Sequence, residues 1–217
     1  MFYVPSTGPE SWQSLLADPV KHWATGYSAR SLAHCWQMAN GLPPEIQALL
    51  GNDAKLLIGI PEHKTPLPGG KRDTQTDLFA LLRIADKTCA AAIEGKVRET
   101  FGPTVGEWLT DASEGKQTRL NYILDLLGLK TVPDNIRYQL LHRTAAAIIE
   151  SERFKTDEAA MIVHSFEQSK LWFDDFAAFT NLFDLTAESE KLMTLILPNG
   201  KPLHLAWVTG HVDFLAA

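Results

Sequence analysis

Apolar residues in the first fifty positions recur with helical spacing, and then the pattern changes to short continuous runs. Residues 11–17 and 27–40 carry the helical period; in the second stretch Leu32, Cys35, Trp36 and Ala39 fall on one side and Gly41 closes it. Pro43-Pro44-Glu45 opens a further short helix, because a proline in the first turn gives up an N–H that has no partner there. Three helices are thus expected before any strand. Residues 55–60 (KLLIGI) predict a first strand ended by Pro61, and residues 62–76, punctuated by Pro66, Pro68 and Gly69-Gly70, predict loop.

Two apolar runs follow, 77–84 (DLFALLRI) and 89–97 (CAAAIEGKV), separated by the polar Ala85-Asp86-Lys87-Thr88. They predict an antiparallel hairpin, although leucine and alanine are weak strand formers and an amphipathic helix over 77–84 is the rival. Helical stretches are expected around 105–109 and 119–127, and a long helix from Pro133-Asp134 to about Phe154. Residues 159–165 (AAMIVHS) form an unbroken apolar run between helices, the pattern of a parallel strand covered on both faces. An aromatic helix over 171–183 comes next, then two runs, 191–197 and 203–208, flanking Pro198-Asn199-Gly200-Lys201, a hairpin signal. With no repeat and no linker, this order predicts a single α/β domain over 1–217: a helical part (1–53), a core (54–166), and a C-terminal helix with β-hairpin (167–217). Its mixed central sheet would be flanked by helices.

Composition narrows the setting. The chain has 217 residues, 45% hydrophobic and 21% charged, enough for a sizeable core. No apolar run reaches the roughly 18 residues a bilayer span needs, and the opening MFYVPSTGPESW lacks a basic region followed by an apolar one, so neither membrane insertion nor secretion is expected. Cys35 and Cys89 are too few for a disulfide framework or a cysteine-rich zinc site and read as small buried residues in a reducing, cytoplasmic compartment. A net charge of −6 argues against an extensive positive surface of the kind that grips DNA. The balance is uneven, however: between Gly69 and Arg143 there are eleven Lys/Arg against ten Asp/Glu, leaving nine against sixteen elsewhere. A phosphate-facing surface would have to come from that middle segment.

Side chains alternate along a strand, so Glu94 and Lys96 share a face that Gly95 does not. If Ile84 pairs with Cys89, Asp77 lies opposite Lys96 and Phe79 opposite Glu94, and one face holds Asp77, Glu94 and Lys96 together; a slip of one residue would send Asp77 to the other side. Two carboxylates so placed can hold Mg²⁺ or Mn²⁺, hard cations that take oxygen ligands, with the Gly95 carbonyl as a further donor. Lys96 beside them could orient a water or stabilise charge on a phosphoryl group. Equally, Asp77 could cap a strand while Glu94 and Lys96 form a solvated surface pair.

Thr76-Asp77, sixteen intervening residues and then Glu94-Gly95-Lys96 on the second strand of a hairpin resemble the signature of the PD-(D/E)XK nuclease superfamily, with Thr76 where a proline is common. The resemblance covers about residues 28–166. It extends to Tyr138-Gln139 on the long helix and the buried strand Met161-Ile162-Val163-His164 that follows. It implies a restriction endonuclease-like core with an N-terminal helical extension and a C-terminal hairpin. It also implies a Mg²⁺-dependent nuclease hydrolysing DNA phosphodiesters in restriction, repair or defence. Asp77 and Glu94 would hold metal, with Gly95, and Lys96 and Gln139 would serve catalysis. The superfamily often supplies another acid from the first helix. Residues 28–40 contain no Asp or Glu, which leaves Glu62 as a substitute ligand. The second reading is a catalytically silent relative serving as an interaction or regulatory module.

Around that core, Arg137, Tyr138, His142 and Arg143 are candidate nucleic-acid contacts at the start of the long helix. The seven histidines show no i, i+4 or H-x-H pairing, and Ser165 after His164 sits in no nucleophile elbow. Leu67-Pro68-Gly69-Gly70-Lys71 has glycines and a lysine without phosphate-loop spacing and reads as a flexible loop. Leu171 and the aromatic Trp172, Phe173, Phe176, Phe179 and Phe183 suit a helix packed on the sheet or a homodimer contact.

Overall fold

The structure, a computed structural model, describes residues 6–217, so the first five residues of the N-terminal stretch lie outside it. Its hairpin settles how the middle of the chain is laid out. Strands β2 (Thr74–Ile84) and β3 (Lys87–Lys96) are antiparallel, in a register running from Leu78↔Ile93 to Ile84↔Lys87. The turn is Ala85-Asp86 alone, with Ala85 in the left-handed region (φ 53), instead of the four residues expected. Lys87 and Thr88 are drawn into the strand by partners at the start of the following strand and just before it: Lys87 Nζ donates to Glu158 Oε1 at 2.7 Å, and Thr88 N to Asp157 Oδ2 at 2.7 Å. The register is therefore two residues away from the expected one. A shift of two preserves parity over Leu78–Ile84, but Thr74 and Phe79, five residues apart, both reach the long helix over 138–154, so the alternation of β2 breaks around Asp77, which lies just beyond the paired residues with its Oδ2 against Gly95.

Strand β1 (Lys55–Thr65) runs through Pro61 and pairs antiparallel with β2 from Lys55↔Arg83 to Thr65↔Thr74. It is an edge strand, where a proline costs no ladder bond. The expected loop over 62–76 thus shrinks to 66–73, and Glu62 belongs to the sheet. The six strands are ordered β1-β2-β3-β4-β6-β5. β4 (Glu158–Ser165), buried throughout, is parallel to both β3 and β6 (Pro202–Thr209), as its continuous apolar run predicts. β5 (Met193–Ile196) closes the edge as the Asn-Gly hairpin.

Each face of this mixed sheet has its own core. Alternation along β3 sends Ala91 and Ile93 toward α1 (Ser28–Ala39) and α2 (Pro44–Leu50), where Trp12, Leu32, Trp36 and Ile46 are buried. The residues between them face α4 (Glu114–Leu127) and α5 (Tyr138–Phe154), numbered after the short α3 (Val105–Leu109). In place of the first helix expected over 11–17 there is a 3-10 helix, Pro9–Leu15. The long helix begins at Tyr138, not at Pro133. Residues 134–136 are held off the helix by α3, whose Val105 and Gly106 N–H groups donate to the Ile136 and Asp134 carbonyls at 2.8 and 2.9 Å. Helix α6 (Phe173–Thr180) buries Phe176 and Phe179 in the chain's own core, with the Phe176 ring 5.8 Å from Trp207. Of the residues expected along this helix face, Leu171 remains at the surface. Among the described residues, no helix is long and apolar enough to cross a membrane.

Candidate active site

On the α5 face of β3 the apolar alternation is interrupted: where Ala90 and Ala92 pack, Glu94 and Lys96 follow, 2% and 4% exposed. Two charged groups so far from water need partners, and helix α5 supplies them from one face, since Gln139 and Arg143 stand one turn apart. Lys96 Nζ donates to Glu94 Oε1 at 2.8 Å and to Gln139 Oε1 at 3.1 Å. Gln139 Nε2 donates to the same Glu94 Oε1 at 2.7 Å. Arg143 Nε takes the other oxygen, Oε2, at 2.5 Å, while its Nη1 donates to Thr74 Oγ1 at 3.0 Å. The Lys96 ammonium also lies 4.8 Å from the Phe101 ring centroid.

Asp77 reaches the same cleft from β2, and its Oδ2 accepts the Gly95 backbone N–H at 2.8 Å. Gly95 thus contributes its backbone N–H to the site. Glu62 arrives from β1. Its backbone is in the left-handed region (φ 51), which breaks the strand's alternation, and its Oε2 accepts from Gln75 Nε2 at 2.6 Å. A cleft of about 480 Å³ is lined by Glu62, Asp77, Glu94, Lys96, Gln139 and Arg143, with the segment before α1 forming its other wall. Glu99, which no sequence pattern singled out, also lines it and ties the walls together by accepting the Ser28 and Val97 N–H groups at 2.9 and 3.0 Å.

The three carboxyls differ in charge state because they differ in partners. Burial pushes Glu94 up, but Arg143 and Lys96 outweigh it and hold the group below the usual carboxylate range. Burial, and then the Glu94 charge, push Asp77 up to about 7. Burial and the neighbouring Asp77 push Glu62 up to about 8. Burial opposes the Arg143 cation, yet Glu94 and Asp77 keep it firmly charged.

The residues expected to touch nucleic acid are mostly engaged internally. Arg143 is the ion-pair partner of Glu94, and Arg137 Nε is committed to Asp175 Oδ2 at 2.9 Å with its Nη1 on the Gly102 carbonyl. Burial and the Arg143 and Arg119 guanidiniums hold His142 well below its usual value, and its Nδ1 lies 2.7 Å from Thr74 Oγ1. Tyr138 is buried and stacks on Trp108, with 3.9 Å between ring centroids. Sequence reasoning read Arg143 as a surface cation because nothing in an α-helical period marks a residue whose partner lies 49 positions earlier.

Whether these residues suit a divalent cation turns on the acids short of countercharge. Asp77 and Glu62 are oxygen donors held near or above neutrality by burial and repulsion, which a cation would relieve; that fits Mg²⁺ or Mn²⁺. Glu94 has about four lone-pair sites, three of which already accept N–H groups, leaving one for a shared ligand. Cys35, Glu45 and His164, on the opposite face of the sheet, also bring ligand-type atoms within 4.8 Å of one another. There the Trp36 indole N–H, which can only donate, lies 3.2 Å from His164 Nδ1, so the proton sits on Nε2 and faces Glu45 Oε1 at 2.8 Å. A metal on Nε2 would force two N–H donors together, so this group is a buried hydrogen-bond network.

A family model described as a domain of unknown function, DUF6946, matches residues 5–212, and the chain belongs to that family. No curated protein and no solved structure matches it.

Proposed function

We propose that this protein is a metal-dependent nuclease that hydrolyses DNA phosphodiester bonds at the Asp77/Glu94/Lys96 cleft. The observation that carries this reading is the convergence, in one cleft, of two metal-type carboxyls from adjacent strands and a lysine two residues beyond the second acid. It agrees with the resemblance of Thr76-Asp77 and Glu94-Gly95-Lys96 to the PD-(D/E)XK signature. Asp77 and Glu94, with Glu62 behind them, would hold Mg²⁺ or Mn²⁺, which when bound lowers the pKa of a coordinated water and offsets phosphoryl charge. Lys96 is the group placed to donate to a phosphoryl oxygen as negative charge grows there. Gln139 aims it, since its amide accepts from Lys96 Nζ while donating to Glu94. Arg143 keeps Glu94 ionised, so that the acid is ready as a ligand at neutral pH.

One observation favours a second reading, a catalytically silent module that keeps the fold for interaction or regulation. Glu94 is already bound by Lys96, Gln139 and Arg143, a network complete without metal. Cleavage of single-stranded, duplex and branched DNA with Mg²⁺ and with Mn²⁺ separates the two. The nuclease reading expects Lys96→Ala to lower the rate by about 10²-fold or more with DNA affinity nearly unchanged. Wild type as inert as Lys96→Ala on every substrate would leave the interaction module as the better reading.

A further inference from the structure

The loop between β1 and β2 is docked, not free. Gly69 (φ +79) and Gly115 at the start of α4 meet backbone to backbone: a Cβ on Gly69 would lie 2.0 Å from the Gly115 carbonyl oxygen, and one on Gly115 would lie 2.2 Å from that of Gly69. Only glycine permits this approach from both sides. Arg119, further along α4, clamps the same loop by donating from Nε to the Pro68 carbonyl at 2.9 Å and from Nη2 to the Leu67 carbonyl at 3.3 Å. The consequence is electrostatic. Lys71 and Arg72, both exposed, are set beside Lys116 and Arg119 around a shallow pocket of about 210 Å³ with no carboxylate in its lining. Among the described residues, none of these four cations is ion-paired. Lys116 and Arg119 donate to backbone carbonyls, which leaves their charge uncancelled.

In a chain of net charge −6, four unpaired cations in one place are a local exception to a surface that repels polyanions. Their location is also specific. Trp108 lines this pocket and stacks on Tyr138. Tyr138 lines a second shallow pocket together with Gln139 and Arg143, and those two residues line the cleft that holds Asp77 and Glu94. Cationic pocket, aromatic step and cleft follow one another across the molecule. The Trp108 ring is itself taken, with Tyr138 stacked on it and the Lys116 ammonium 5.5 Å from its centroid, so it offers no free face to a base.

We propose that the docked loop and α4 form a phosphate-binding flank, with Lys71, Arg72, Lys116 and Arg119 holding the sugar-phosphate backbone of DNA away from the scissile bond and without reading bases. The ligand's identity rests on the nuclease reading above; the flank itself rests on the loop geometry and the unpaired charge. Contacts of this kind act through counterion release, so the salt dependence of binding reports how many phosphates are held.

The test is fluorescence anisotropy with labelled duplex DNA in EDTA, where cleavage does not enter, over a series of salt concentrations. Lys71→Ala/Arg72→Ala removes two exposed side chains and should leave the melting temperature unchanged. It should weaken binding about 10-fold or more at low salt and make the log–log salt slope shallower by about 1.8, the value for two phosphate contacts. Arg83→Ala/Lys130→Ala, which removes two exposed cations elsewhere, should change neither. Unchanged affinity and slope in the first variant, an equal loss in the control, or wild type that binds no DNA at low salt would each overturn the flank. The two readings fail separately. Patch-dependent binding by a protein that cleaves nothing sinks the nuclease and keeps the flank; cleavage indifferent to Lys71→Ala/Arg72→Ala does the reverse.

Discussion

Arg143 Nε donates to Glu94 Oε2 at 2.5 Å, and both side chains are buried. Removing one partner strands the other's charge in a medium that solvates it poorly, so Glu94→Ala and Arg143→Ala should each cost about 3–5 kcal/mol. For a chain of this size that is on the order of 10 °C in melting temperature. Because Lys96 also pairs with Glu94, the triple variant Glu94→Leu/Lys96→Met/Arg143→Met should recover much of the loss. A triple variant as unstable as the sum of the singles, measured by urea denaturation, would show that this charge network is not the unit of stability.

Asp77 and Glu62 make stability depend on pH. Their folded pKa values, about 7 and about 8, lie above those of free carboxyls. Between pH 4 and pH 8 the unfolded chain therefore loses these protons first, and stability falls as pH rises through that window in the absence of divalent cations. Asp77→Asn should flatten the decline and raise the melting temperature at pH 8 in EDTA. A pH–stability profile of Asp77→Asn that superimposes on wild type would place the destabilising charge elsewhere.

The same acids should respond to metal. Mg²⁺ or Mn²⁺ should raise the melting temperature of wild type, and more at pH 8 than at pH 6, because a cation competes with protons for Asp77 and Glu62. Asp77→Asn, which keeps the shape and drops the charge, should show a much smaller shift. Equal shifts in the two proteins would mean that the cation binds at another place.

Gly115→Ala tests the docked loop by itself. The new methyl group would sit 2.2 Å from the Gly69 carbonyl oxygen, which is backbone and cannot swing aside, so the loop must leave α4. Limited proteolysis should then cut within residues 66–73 faster than in wild type. Arg119→Ala should have the same effect, more mildly. Protection equal to wild type in both variants would contradict the clamp.

Much of this architecture is legible in the chain. Residues 159–165 carry one continuous apolar run, and a strand with that pattern can only be covered on both faces, which is where β4 lies. The alternation through Ala92, Glu94 and Lys96 likewise put both charged groups on one face before any partner was known. Parity also survived the wrong turn length within the paired part of the hairpin, Leu78–Ile84 against Lys87–Ile93, because a shift of two residues leaves those side chains on their own faces. What the sequence could not determine were relationships between elements. The edge position of β1 let Pro61 stay within a strand and brought Glu62 into the cleft. The packing of α3 against residues 134–136 delayed the start of α5 to Tyr138. Above all, only the tertiary structure decided that Arg143 neutralises Glu94 while Asp77 and Glu62 go without a cation. A residue's charge in a protein depends on what displaces its water, and those groups come from strands and helices that are adjacent only once the chain has folded.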